Sequence, residues 1–209
     1  MEKTTGWNTT YKCTMKLGRD FYTREDVVQV SKDLLGKFLF TRVQGAKTGG
    51  VIIETEAYAG IHDKASHAYN NRRTARTEIM YREGGAAYVY LCYGIHSLFN
   101  VVTNKKDVPH AVLIRAVVPE EGISVMVKRR NKKQEDKALC SGPGSLSKSL
   151  GIHFSHSGTS LLGNEIWIED RGIRIAPPEI ISGPRIGVDY AGKDALLPYR
   201  FRVKQGSFG

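Results

Sequence analysis

Val51-Ile52-Ile53-Glu54-Thr55-Glu56-Ala57-Tyr58-Ala59-Gly60 opens on three β-branched apolar residues, places two acids and a tyrosine at alternate positions, and ends on glycine. β-Branched residues favour extended backbone. A period of two assigns Ile52, Glu54, Glu56 and Tyr58 to one face of a strand and Val51, Ile53, Thr55 and Ala57 to the other. Isolated carboxylates are costly to bury, so a face with two of them and an aromatic ring must meet partners, water or a substrate. It is either a solvated edge or a wall of a site.

Outward from this strand, residues 37–43 read as its hairpin partner and residues 45–50 as the turn between them. Upstream, Thr23 offers a helix N-cap with an acid three residues on. Val27, Val30, Leu34 and Leu35 recur at helical spacing, and Gly36 supplies the stop. Residues 1–20 read as a loose arm before a single domain over 21–209. Residues 61–83 lose all periodicity while carrying His62, Asp63, His67, Arg72, Arg73 and Arg76. A loop that long in a compact domain is usually functional.

Residues 86–92 and 97–103 form a second hairpin around Tyr93-Gly94, with Tyr88 and Tyr90 facing one way and Asn100 on an otherwise apolar strand. Residues 111–118 are a buried strand broken by Arg115. Pro119-Glu120-Glu121 then opens a helix that exits through the basic run 128–133, which includes Lys128 and Arg129. A short helix over 141–151 and strands over 165–169 and 200–203 complete the reading. The fold class is mixed α/β (α+β): one compact domain with a curved, largely antiparallel sheet, a few packed helices and no βαβ alternation.

The 209 residues suit one domain, and no apolar run approaches the roughly 20 residues of a membrane span. The first 20 residues lack the apolar core of a secretory signal. Cys13, Cys92 and Cys140 are odd in number and scattered, which argues for a reducing compartment and against a disulfide framework. Lys plus Arg is 31 against 21 Asp plus Glu, a formal charge of +10 that attracts polyanions, nucleic acid first and anionic membrane second.

Metal chemistry finds poor support. His62, Asp63 and His67, and the pair His153 and His156, lack the helix and acid of HExxH, and no cysteine pair accompanies them. Leu139-Cys140-Ser141-Gly142 does not supply the P-C-x-x-C of the base deaminases. There is no G-x-S-x-G, and Gly142-Pro143-Gly144 lacks the Lys-Ser/Thr of a phosphate loop. What remains is an acid beside aromatics on a basic chain. An enzyme acting on a base within a duplex flips the nucleotide, stacks it on aromatics and fills the gap with a wedge. Hydrolysis of the N-glycosidic bond then needs a carboxylate to activate water. Without catalysis, the same tyrosines suit a DNA- or RNA-binding module.

Glu54-Thr55-Glu56-Ala57-Tyr58, Ala65-Ser66-His67, Tyr88-Val89-Tyr90, Tyr93-Gly94, Phe99-Asn100, Leu113-Ile114-Arg115-Ala116 and Leu139-Cys140-Ser141-Gly142-Pro143 follow one another in the order and approximate spacing of one family. The chain resembles the alkyladenine (3-methyladenine) DNA glycosylases first known from mammals and also found in bacteria. The likeness runs from about Phe21 to Val203.

The resemblance implies a monofunctional enzyme of base excision repair, without cofactor or lyase activity. It would excise 3-methyladenine, 7-methylguanine, ethenoadenine and hypoxanthine from double-stranded DNA, as a monomer in a bacterial cytoplasm. It implies Glu56 as general base and Arg115 as the arginine that holds the acid and a phosphate. Tyr58, Tyr90, His67, Asn100 and Ala65 would form the base pocket, and Tyr93 would intercalate. Arg72, Arg73, Arg76, Leu113, Lys128 and Arg129 would contact DNA. His96 and Asn70-Asn71-Arg72-Arg73 depart from the mammalian pattern. Glu54 and Tyr88 receive no assignment.

Overall fold

The acidic stretch belongs to a strand of 13 residues, Ala46–Tyr58, to which the rest of the sheet is attached. A computed structural model describes residues 14–205. In chain order these form β1 (Met15–Lys16), α1 (Arg19–Tyr22), α2 (Val27–Asp33), β2 (Phe38–Val43), β3 (Ala46–Tyr58), β4 (Ala87–Cys92), β5 (His96–Thr103), β6 (His110–Glu121), α3 (Ile123–Arg129), α4 (Pro143–Leu150), β7 (Ile166–Asp170), β8 (Ile180–Gly183) and β9 (Arg200–Val203). The strands make one curved sheet in the order β1-β7-β2-β3-β6-β5-β4, paired antiparallel, with β8 beside β9 and β9 beside β3. The mixed α/β reading holds.

β6 runs along one edge of β3, and the other edge is shared. β2 pairs with residues 46–51 and β9 takes over at Glu54–Glu56, so the sheet forks there. The stretch read as a turn, 45–50, is mostly strand. The reversal is completed by Gln44 and Gly45, both at positive φ (53° and 76°), the conformation of a two-residue hairpin turn. Gly50 serves close approach: a Cβ there would meet the Val118 carbonyl at 2.2 Å.

The period of two also breaks within β3. Ile52 pairs with Val117 and Glu54 with Ala116, so Ile53 is passed over. On β6, Arg115 is passed over between Ala116 and Ile114. Two facing bulges thus sit beside each other. They turn Ile52 into the main core with Ala57, away from the face of Glu54, Glu56 and Tyr58.

That core lies between the sheet and the helices, with Val30 and Leu34 near α2, Met126 of α3, and Leu146 and Leu150 of α4 against Ile52, Phe99, Ile114 and Val117. Thr55 Oγ1 donates to the Ser31 carbonyl at 2.9 Å and so ties β3 to α2. Among the described residues, the opposite face carries no α-helix over the acids. It is covered by residues 60–83, now three 3₁₀ turns, and by the segment between β8 and β9. Met80 and Tyr81 anchor the first of these against Tyr88 and Ala111.

Three local expectations change. The N-cap of α2 is Asp26, whose carboxylate accepts the Gln29 N–H at 3.0 Å, while Thr23 ends α1. Pro119 does not start a helix but continues β6 where the register slips at Gly49/Gly50, a place that tolerates a missing N–H. Of the arm expected over 1–20, residues 1–13 lie outside the described residues. Met15 and Lys16 pair with β7, and buried Leu17 donates to Ile168 at 2.9 Å. Among the described residues, no helix is long and apolar enough to cross a membrane.

Replacing Asp26 by Ala should remove about 1 kcal/mol of stability, the scale of an N-cap bond. Thr23→Ala should cost only about 0.5 kcal/mol, because its hydroxyl makes a single solvent-accessible bond, to the Arg19 carbonyl at 3.1 Å. Chemical denaturation of the two variants distinguishes the two caps.

Candidate active site

Strand register builds the floor of the site. Glu56 pairs with Leu113, Leu113 with Asn100, and Asn100 with Tyr88. Paired residues of antiparallel strands point to the same face, so one row crosses β3, β6, β5 and β4. At about 4.8 Å per strand it spans roughly 14 Å. A cavity of about 480 Å³ stands on this row, walled by Tyr58, His67, Arg76, Tyr90, Ile186 and Tyr190.

Glu56 is fully buried and lies behind the cavity wall. Its Oε1 accepts the Ile186 backbone N–H at 2.9 Å and lies 3.2 Å from Arg115 Nη1. Its Oε2 accepts the Tyr58 hydroxyl at 2.9 Å. Burial first, and then the Glu56 charge, push the Tyr58 phenol well above its usual value, so it stays a donor. Arg115 reaches the acid from its bulge on β6, and its Nε donates to Glu54 Oε1 at 3.0 Å. Arg200 Nε donates to the same Glu54 oxygen at 2.6 Å. Glu54, without an assignment from the sequence, binds both arginines.

The aromatic wall is tightly joined. His67 meets Tyr90 edge-on, centroids 4.6 Å apart at 73°, and its Nδ1 lies 2.8 Å from the Tyr88 hydroxyl. Tyr88 is thereby part of the wall as well as of the core. Burial, helped by Arg76 and Arg72, lowers the His67 pKa to about 4, so the ring is neutral at pH 7. Arg76 lies over Tyr90 at 4.9 Å, and Arg185 over Tyr58 at 4.8 Å. Asn100 is 3% exposed, and its Nδ2 donates to the Tyr88 and Leu98 carbonyls at 3.1 and 3.3 Å. Ala65 sits at the rim, its carbonyl accepting the Tyr190 hydroxyl at 3.1 Å.

Tyr93 borders the mouth of this cavity at the β4–β5 hairpin tip. It is 89% exposed and held at φ 51°, with Gly94 at 71°. A large non-glycine residue pays steric strain at positive φ, and here that strain projects the ring into solvent beside exposed Ile95.

The residues expected to touch DNA separate into groups. Arg72 is exposed on the loop beside the cavity, and Arg76 lines its rim. Arg73 is held in ion pairs with Glu78 and Asp107. Leu113 is apolar, buried and part of the cavity floor, so it offers no phosphate ligand. Arg129 donates to Val43, Thr48 and Ser149. Thr48 is eight residues from Glu56 along β3, roughly 25 Å at strand rise, so Arg129 braces the far end of the sheet. Lys128 is exposed on that same helix.

Sequence reasoning passed over the segment after β8. Arg185 is buried and forms a two-pronged ion pair with Asp63, whose carboxylate also accepts the Ala59 and Ala65 N–H groups. This pair fixes the 60–83 loop to the segment that carries Ile186. Gly183-Pro184 and Gly187 around Arg185 are the only sequence signal for it. Among the described residues, no cluster of three or more His, Cys, Asp or Glu could hold a metal ion.

The family model described as Methylpurine-DNA glycosylase (MPG) matches residues 20–207. A protein of Chlamydia felis named "Putative 3-methyladenine DNA glycosylase" is 46% identical over 186 residues, 88% of this chain and 94% of its own length. Proteins of the same name from Alkaliphilus oremlandii and Clostridium perfringens strain 13 are 46% and 43% identical, each over 93% of this chain and 98% of their own length. These matches define a DNA glycosylase, a hydrolase acting on N-glycosyl bonds in base excision repair of alkylated bases. The chain belongs to the methylpurine-DNA glycosylase family.

His67 should remain unprotonated from pH 8 to pH 5 and titrate near pH 4, as read from its imidazole ¹⁵N shifts. Its folded value lies below the unfolded one of about 6.5. Its contribution to stability is therefore complete above about pH 6.5 and is lost as pH falls toward 4.

Proposed function

We propose that the cavity receives a damaged purine rotated out of double-stranded DNA, and that a water activated by Glu56 cleaves its N-glycosidic bond. The observation that carries this reading is Glu56 itself: a carboxylate with no exposed surface, held by a backbone N–H, a phenol and an arginine directly behind an aromatic cavity. An acid so placed meets water only once the wall formed by Tyr58 and Ile186 yields to the inserted nucleotide.

In this reading the base stacks between Tyr58 and the Tyr90–His67 pair, where neutral His67 adds no charge against a methylated purine. Asn100 is fixed by two backbone carbonyls and cannot step aside, which suits a group that disfavours the guanine amino group. The Ala65–His67 backbone borders the base edge. Tyr93 fills the vacated place in the stack, and Arg72 and Arg76 meet phosphates at the rim. 3-Methyladenine, 7-methylguanine, ethenoadenine and hypoxanthine are the proposed substrates. No lysine lines the cavity among the described residues, which supports water as the nucleophile and a monofunctional enzyme without lyase activity.

The test is release of free hypoxanthine from a duplex containing it. Glu56→Gln should keep affinity for this duplex and lose excision by about 100-fold or more, the scale of general-base removal. Excision near the wild-type rate would remove Glu56 from the chemistry, and no release by the wild type would leave a binding module. Tyr93→Ala should weaken binding of the lesion duplex by about 1–3 kcal/mol, the contribution of one stacked aromatic, in a fluorescence titration.

A further inference from the structure

We propose that Glu54 is the positioning residue that aims Arg115 at Glu56, and that Arg200 holds Glu54 in that role. The inference rests on the reading of Glu56 as the base.

Glu54 neither lines the cavity nor faces open solvent; its side chain is 14% exposed. A single oxygen, Oε1, accepts Nε–H from Arg115 at 3.0 Å and from Arg200 at 2.6 Å. A guanidinium is planar and its donors form a rigid fork, so fixing Nε also fixes the direction of the Nη groups. With Nε on Glu54, Arg115 presents Nη1 to Glu56 Oε1 at 3.2 Å, and the contact is one-pronged.

An ionised carboxylate has about four lone-pair positions. In Glu56, the Ile186 N–H occupies one on Oε1 and the Tyr58 hydroxyl one on Oε2, while Arg115 Nη1 stands 3.2 Å from Oε1 as an ion-pair contact. Two positions remain, one on each oxygen, where the water can dock. Arginine prefers a two-pronged grip on carboxylate, and an Arg115 released from Glu54 has Glu56 as its nearest acid. A two-pronged grip would occupy both open positions and leave the water none. Glu54 thus acts by withholding Nε from the base.

The facing bulges explain how this arises. The one on β6 brings Arg115 beside the acids, and the one on β3 ends at Glu54. Arg200 comes from β9, whose backbone pairs with Glu56, and its side chain reaches across to Glu54. The two acids and two guanidinium groups cancel in charge. Burial of Glu56 is balanced without committing an arginine wholly to it.

The measurement is the single-turnover rate of hypoxanthine release, with affinity for the same duplex determined separately. Glu54→Ala should lower the rate about 10–100-fold, the scale of lost supporting contacts, with affinity within about twofold of wild type. Glu54→Gln keeps an acceptor oxygen for Nε and should recover most of that loss. On an Arg115→Ala background, Glu54→Ala should cost less than about twofold more, because a residue acting through Arg115 has nothing left to aim. A rate within about threefold of wild type for Glu54→Ala, or a loss that multiplies in full on Arg115→Ala, overturns the proposal. Should Glu54→Ala not fold, Arg200→Gln, at a side chain 21% exposed, enters the same cycle. A loss that vanishes on Arg115→Ala then supports the proposal, and full retention or full multiplication overturns it. Glu56→Gln measured alongside separates the two readings: its activity decides the base, and that of Glu54→Ala decides only the aim.

Discussion

A buried carboxylate is the constraint around which this molecule is arranged. Glu56 has no accessible surface, and an ionised acid removed from water is stable only among donors and opposite charge. Each of its partners comes from a different part of the chain: Tyr58 from its own strand, Arg115 from β6, and Ile186 from the segment after β8. The facing bulges deliver Arg115 and the Asp63–Arg185 clamp fixes Ile186, while the sheet fork brings Arg200 to Glu54 beside them.

The face of β3 was legible as far as the backbone stays regular. Alternation identifies Glu54, Glu56 and Tyr58 as one face, and the structure keeps them together. It misplaces Ile52, because the bulge at Ile53 adds a residue that no hydrophobic pattern records. The hairpin before it was legible as a pair of strands, but Gly49 and Gly50 were read as a turn when they allow close packing. Asp26 lost the cap to Thr23 on paper because both residue types accept a helix N–H, and only the position of the first turn decides.

The site was legible wherever a side chain carries the chemistry. His67, Tyr88, Tyr90 and Asn100 meet around one cavity although they are spread over the chain. Ile186 was not legible, since its contribution is a backbone N–H that any residue could supply. Neither was Arg185, one basic residue among many, whose value depends on Asp63 more than 100 positions away. Charge density misled for the same reason. The run at 128–133 is the densest in cations, yet Arg129 is consumed by carbonyls at the far end of β3, while Arg72 and Arg76 sit singly beside the cavity.

The fork at β3 has a consequence for biosynthesis. β9 is the last strand in chain order, and it supplies Arg200 and the edge against which Glu54–Glu56 pair. On the ribosome, the aromatic wall and the hairpin tip exist as sequence long before that edge emerges from the exit tunnel. A nascent chain therefore lacks the finished acid cluster until β9 has emerged. The order of synthesis thus places completion of the acid cluster after the aromatic wall and the hairpin tip.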